Sequence, residues 1–189
     1  MKPTLFFLFA GSLLAQAPPP TVARLYDGPL TSVERQLVGL AEAMPADKYN
    51  FAPKDGSFAN VRTFAEQIRH IATVNYMCAA AVLKEKSPVE PGPIENGPDT
   101  NRTKEQIVKY LKDSFAYAHK AMQSITAENQ LEMVPAPFNP GGMTARGAAA
   151  SIPTSHSFDH YGQMVVYARM NGVVPPASQP APPPPAKKK

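Results

Sequence analysis

Apolar residues recur through the middle of the chain at steps of three and four positions, which is the spacing of one face of an α-helix. The first such face is lined by Val33, Leu37, Leu40 and Met44. Thr31 stands before it and Glu34 follows three positions later, which is the spacing of a capping box, and Pro45 ends the pattern. The sequence therefore predicts a first helix that opens at Thr31.

The same signals predict two more helices. Thr63 and Glu66 form a second capping pair, and the apolar positions after them continue to about Lys86. Thr103 and Gln106 form a third pair at the start of another periodic segment. The inward positions are Phe64, Ile68, Ile71, Cys78 and Val82 in the second helix and Ile107, Leu111, Phe115, Ala118, Met122 and Ile125 in the third.

A fourth helix is predicted from a cap at Thr144 to Met170, and Pro153 inside it is expected to kink the helix. The proline- and glycine-bearing segment from Ser87 to Pro98 is too long for a tight hairpin between helices. No stretch alternates apolar and polar residues for long enough to indicate a strand. The pattern predicts an all-α four-helix bundle with a long crossover between helices 2 and 3.

The two ends of the chain have a different composition. Residues 1–17 contain Lys2, an apolar run and a small-x-small site ending at Ala17, which together predict a signal peptide. The run is shorter than the roughly 20 residues that span a bilayer, so no transmembrane helix is expected. We expect a Pro-rich linker over 18–24, the bundle over 25–176, a disordered Pro/Lys tail over 177–189, and a secreted or periplasmic location.

The formal net charge of +4 does not indicate nucleic-acid binding, because it comes from the termini. Lys2 and the three final lysines account for the excess, and the bundle between them is neutral. Without a basic stripe on the bundle, no nucleic-acid partner is predicted. The single cysteine, Cys78, falls on an apolar helix face and is interpreted as a buried, unreactive thiol.

Two of the four histidines, His156 and His160, lie one helical turn apart on the predicted fourth helix. This spacing can direct two ring nitrogens to one metal ion, but a third ligand is needed. His70 on the second helix and His119 on the third are both candidates on the residues alone. Satisfied histidines at the edge of the core are the competing interpretation.

Three segments together resemble the DinB-like superfamily, whose members are small four-helix bundles and include metal-dependent thiol transferases. They are AEQIRHIATVNY, AMPADKYNFAP and DHYGQMVVYARMNGVVPP, and the resemblance spans Leu25 to Pro176. It implies that the metal triad falls on His70, His156 and His160, whereas His119 matches no ligand position. Three imidazoles leave an open coordination position, and this ligand set favours zinc, with nickel, iron and manganese as alternatives.

Glu66, Asp159 and Gln163 are the candidates for supporting the ligands through hydrogen bonds. Capping explains Glu66 equally well, and Asp159 has a solvated alternative. The resemblance implies a metal-dependent hydrolase or thiol transferase that acts on a small molecule of unknown identity. The alternative is a non-catalytic envelope protein that binds a metal or small ligand, for which a homodimer through an apolar helix face is considered.

Overall fold

The computed structural model describes residues 20–98, 100 and 102–180. Four long helices form its body, namely α1 (Val22–Ala43), α2 (Phe64–Leu83), α3 (Lys104–Gln123) and α4 (Arg146–Met170). Single 3-10 turns lie at Ala46–Lys48, Pro93–Glu95 and Pro176–Ser178. The all-α four-helix bundle is therefore confirmed. Among the described residues, no helix combines the length and the apolar character that a membrane crossing requires.

The helices pack so that α2 lies between α3 and α4, while α1 contacts the same two helices from the opposite corner. α2 and α3 run in parallel, since Thr73 in the middle of α2 bonds Tyr110 in the first half of α3, and Glu85 just after α2 pairs with Lys120 in the last turn of α3. The chain between two parallel neighbours must return along the bundle. This geometry accounts for the long crossover, whose Pro93–Glu95 turn lies beside the first half of α2.

Two of the three predicted capping pairs form as expected. The Thr63 hydroxyl accepts the Glu66 N–H at 3.3 Å, and the Glu66 carboxylate accepts the Thr63 N–H at 2.8 Å. Thr103 and Gln106 make the same reciprocal box at the start of α3. Each box satisfies amide groups that the first helical turn leaves without partners. The second helix ends at Leu83, slightly before the expected position, where Lys84 turns into the left-handed region.

The prediction for the start of the first helix was wrong. The helix begins at Val22 with Thr21 as its cap, and it continues through Pro29. Thr31 lies inside the helix, where its hydroxyl donates to the Asp27 carbonyl. Tertiary contacts support the added turns, because the side chain of Asp27 contacts His119 on α3.

The start of the fourth helix also differs from the prediction. Thr144 does not cap it, because this residue belongs to a short strand, Met143–Ala145, that pairs antiparallel with Met133–Pro135. Ala145 occupies the cap position and offers no side-chain bond. These strands are three residues each, too short to show an alternating pattern. α4 itself continues through Pro153 to Met170.

The core is a continuous apolar cluster to which all four helices contribute. α2 supplies the largest share, since most of its residues are buried. Cys78 is fully buried there, and burial raises the pKa of its thiol, which agrees with an unreactive packing residue. The predicted signal peptide, residues 1–17, and the end of the predicted tail, residues 181–189, lie outside the described part of the chain.

Candidate metal centre

The structure brings His70, His156 and His160 together although α2 and α4 are far apart in sequence. The Nε2 atom of His156 lies 3.0 Å from Nε2 of His70 and 3.1 Å from Nε2 of His160. His70 and His160 are buried and His156 is half-buried. The three side chains form a group that could hold a metal ion. The i, i+4 spacing on α4 places two of them on one helix face.

The crossover fixes the tautomer of His70. The Nδ1 atom of this histidine lies 3.1 Å from the backbone carbonyl oxygen of Glu95. A carbonyl can only accept, so Nδ1 carries the proton and donates it, and the Nε2 lone pair points towards the other two imidazoles. Ile94 and Glu95 have positive φ angles of 49° and 51°. For a β-branched residue such as Ile94 this conformation is strained, and such strain concentrates at functional sites.

A relay of side-chain amides fixes the tautomer of His160. The Asp159 carboxylate accepts from Gln163 Nε2 at 3.2 Å, and Gln163 Oε1 accepts from Gln67 Nε2 at 3.1 Å. Gln67 is therefore oriented with its Oε1 towards His160, where it accepts the Nδ1 proton. The carboxylate at the surface thus determines the orientation of two amides and leaves the His160 Nε2 lone pair free for a metal.

His156 is held differently from the other two histidines. Its Nδ1 atom is buried and has no hydrogen-bond partner in the described part of the chain. Its Nε2 atom lies between those of His70 and His160. The orientation of this ring therefore comes from its position on α4 and from packing against the other imidazoles.

The donor set fits a divalent metal. Tetrahedral coordination with metal–nitrogen bonds of about 2.0–2.1 Å puts ligand nitrogens about 3.3 Å apart. The two measured Nε2 separations, 3.0 and 3.1 Å, are close to this value. Two lone pairs at such a distance repel unless a proton or a cation lies between them. The convergence of neutral nitrogen donors is the chemistry that zinc and neighbouring transition metals prefer.

Electrostatics keep the imidazoles neutral. Burial, followed by repulsion from the other two histidines and from Arg62, lowers the pKa of His156 to about 3. Burial and then His70 lower the pKa of His160 to about 4, although Asp159 opposes the shift. Burial also lowers the pKa of His70. Neutral imidazole is the form that binds a metal, so the group is ready for coordination near neutral pH.

A small pocket of about 320 Å³ opens beside the histidine group. Its lining includes His160, Gln67, Gln163, Arg62 and Ile94. Such a volume is at the lower end of the range for small-molecule sites. The pocket gives a ligand access to the edge of the histidine group.

Residues 30–164 match the sequence pattern of the DinB superfamily, which covers most of the chain. The chain belongs to this superfamily. No curated protein sequence matches the chain.

Solved structures of DinB-like proteins share the fold. A DinB-like protein from Bacillus cereus is 14% identical, with a TM-score of 0.62 over 80% of this chain and 93% of its own. A DinB-like protein from Bacillus subtilis is 18% identical, with a TM-score of 0.60 over 83% of this chain and 96% of its own. A conserved protein from Enterococcus faecalis is 14% identical, with a TM-score of 0.62 over 80% of this chain and 98% of its own. At these identities the likeness concerns the fold.

The residues predicted to support the ligands of this DinB-superfamily chain lie at different distances from the histidines. Glu66 serves the α2 cap, and its carboxylate accepts from Thr63 rather than contacting His70. Asp159 and Gln163 reach His160 only through Gln67. Sequence reasoning missed Gln67, although its position three residues before His70 places it on the same helix face.

His119 lies outside the histidine group, in agreement with the absence of a matching family ligand. It joins α3 to α1 instead, with Nδ1 2.5 Å from an Asp27 carboxylate oxygen and Nε2 2.9 Å from a Glu34 oxygen. These two carboxylates raise the pKa of His119 against the opposing effect of burial, which is the largest single influence. The His119 side chain therefore bridges α3 and α1.

Proposed function

We propose that this DinB-superfamily protein binds a divalent metal through His70, His156 and His160 and acts on a small molecule as a metal-dependent hydrolase or thiol transferase. The observation that carries the proposal is that Nε2 of His156 lies within hydrogen-bond distance of Nε2 of both His70 and His160, in a group whose ligand nitrogens all lie within 4.8 Å of one another. Two of these imidazoles have their other nitrogen already bonded, as metal-ligating histidines usually do.

Zinc is the favoured ion. Three imidazoles and an open fourth position are typical of catalytic zinc sites, whereas closed structural sites use four protein ligands. Nickel, iron and manganese bind imidazole as well, and their loading depends on availability.

The chain's own residues prepare the site. A bound metal would supply Lewis-acid chemistry and lower the pKa of a water or thiol at its open position. The Glu95 carbonyl keeps the proton of His70 on Nδ1, and Gln67 does the same for His160. The pocket beside His160 would admit the substrate, and Arg62 at its wall would meet a substrate group of opposite charge.

A non-catalytic role is the second candidate, because no carboxylate in the described part of the chain is hydrogen-bonded to the three histidines. The Asp159 carboxylate is separated from His160 by two amides, and Glu66 is used by the α2 cap. A general base would have to reach the reacting group directly or through one water. In this alternative the bundle would bind a metal or a small ligand without turnover.

The proposal includes export and self-association. The composition of residues 1–17 supports a secreted or periplasmic location, which favours hydrolysis over transfer of cytoplasmic thiols. Phe158, Val166 and Met170 are exposed apolar residues of α4, and they support a homodimer through this helix.

Metal content of the full chain, purified without a histidine tag, tests the proposal. Plasma mass spectrometry is expected to find about one equivalent of metal in the wild type and almost none in His156→Ala. His119→Ala is the matched control and is expected to keep its metal, since both ring nitrogens of this histidine bond to carboxylates away from the histidine group. Absence of metal in the wild type after incubation with zinc, nickel and manganese would refute the proposal.

A spectrum of the cobalt-substituted protein separates the two candidate roles. An exchangeable ligand that titrates near neutral pH is expected for a catalytic centre. A cobalt centre without such a titration would favour the non-catalytic bundle.

A further inference from the structure

Arg62 occupies a fixed position at the wall of the pocket that borders His160. Its Nη2 donates to the Ile94 carbonyl at 2.7 Å, and its Nε donates to Asn96 Oδ1 at 3.0 Å. Its own carbonyl accepts from the Tyr167 hydroxyl at 3.2 Å. Within residues 20–98, 100 and 102–180, Nη1 makes no such bond, so its N–H groups can donate to a ligand. Two hydrogen bonds thus hold the guanidinium, and the bond from Tyr167 holds the backbone behind it.

Among the residues that the structure describes, no carboxylate pairs with the Arg62 guanidinium. Its bonds go to a backbone carbonyl and to a side-chain amide, both of which a neutral donor could satisfy. Glu95 and Asp159 influence His70 and His160 from a distance, but the Asp159 carboxylate is bonded to Gln163. A divalent ion on three neutral histidines would add two further positive charges beside the same pocket.

An excess of positive charge around a small pocket favours the binding of an anionic ligand. The Arg62 guanidinium offers the planar donors that bind a carboxylate, and charge-assisted bonds of this kind are about twice as strong as neutral ones. The pocket of about 320 Å³ limits the ligand to a small molecule.

We infer that the pocket between Arg62 and His160 is a binding site for a small organic carboxylate, whose acidic group pairs with the Arg62 guanidinium while the rest of the molecule faces the histidine group. This inference deepens the proposed function and rests on it, since it names the class of substrate that the metal centre would receive. Arg62 is then the residue that selects for charge, and Ile94 lines the pocket beside it.

Isothermal titration of zinc-loaded protein with succinate tests the inference, with succinamide as the neutral probe of the same size. The wild type is expected to bind succinate and not succinamide. Arg62→Gln is expected to weaken succinate binding by about tenfold or more, the effect of removing one charge-assisted pair. Arg35→Gln makes the same change on exposed α1, at a residue that does not line this pocket, and is expected to bind succinate as the wild type does.

Zinc affinity is measured in parallel, because Arg62 also holds the crossover that contacts His70. Unchanged zinc affinity together with weakened succinate binding supports a direct role. Equal loss of both would show that Arg62 acts only through the crossover and would overturn the inference. Succinate binding that is unchanged in Arg62→Gln, or no stronger than succinamide binding in the wild type, would overturn it as well.

The metal-free protein separates this inference from the proposed function. If the wild type holds no metal after incubation with zinc, nickel and manganese, the proposed function fails, and succinate is then titrated into the metal-free chain. Binding that depends on Arg62 there still supports a carboxylate site, whereas its absence overturns the inference too.

Discussion

Gln67 is expected to control metal affinity although it touches no metal. Its Oε1 accepts the Nδ1 proton of His160, and its side chain is almost fully buried. Gln67→Met keeps the length and approximate volume of the side chain but removes the strong acceptor. Without that acceptor, His160 can move its proton to Nε2, where it would have to be displaced before a metal could bind.

The expected loss of metal affinity in Gln67→Met can be estimated from other hydrogen-bond partners of metal-ligating histidines. Loss of a hydrogen-bond partner behind a ligating histidine typically lowers metal affinity by about 10- to 100-fold. This corresponds to about 1.4–2.7 kcal/mol of binding free energy. Gln163→Met is expected to have a smaller effect, because Gln163 is exposed and orients Gln67 without contacting His160.

Competition with a coloured chelator measures zinc affinity in each variant. Glu66→Met is the matched control at the adjacent residue. It removes the capping carboxylate and is expected to cost about 1 kcal/mol of folding stability while zinc affinity stays unchanged. Wild-type affinity in Gln67→Met, or an equal loss in Glu66→Met, would refute the assignment of Gln67 as the partner of His160.

Two further predictions concern stability, measured by urea unfolding with EDTA present. The pKa of His119 is raised above 6.5 in the folded state, so its stabilising contribution is complete below pH 6.5 and is lost as the pH rises through the raised value. His119→Gln should therefore cost about 1–2 kcal/mol at pH 5.5 and progressively less towards pH 9, and a constant difference would contradict this. Gly97→Ala should cost about 1–3 kcal/mol, because a Cβ there would lie 2.6 Å from Thr73 Oγ1 at a φ of +69°. Gly28→Ala, with nothing within 4 Å, should instead stabilise α1 by about 0.5–1 kcal/mol, and equal effects at the two glycines would be inconsistent with this account.

The elements predicted correctly are those whose signals are local. The Thr63 and Thr103 boxes form because each cap and its partner lie three residues apart in the same turn. Thr31 has the same spacing with Glu34, yet the helix runs through it. There Glu34 bonds to His119, a contact that exists only after α1 and α3 have packed. Local spacing therefore predicts a possible cap, but tertiary contacts determine whether the helix begins there.

The same distinction between local signals and tertiary contacts applies to the histidine group. The pair on α4 is visible from its spacing, and the family resemblance supplied His70, which the residues alone could not distinguish from His119. Gln67, by contrast, becomes a partner of His160 only because α2 and α4 run side by side in a particular register. The Glu95 carbonyl carries no side-chain signal at all, so its bond to His70 could not be predicted from the residue types.

The three histidines are positioned by different segments of the chain, so metal binding depends on how those segments are folded together. The backbone of the crossover holds His70, and the side-chain amides of Gln67 and Gln163 hold His160, whereas His156 is positioned by α4 and by packing against the other two imidazoles. A metal on all three would therefore join α2, α4 and the crossover at one point. Because these segments come together only in the folded chain, an ion that binds there stabilises the native state by mass action. Hydrogen bonds from Arg62 and His70 hold the strained backbone of Ile94 and Glu95 against the bundle. An ion bound to His70 would therefore help to keep this backbone in its strained conformation.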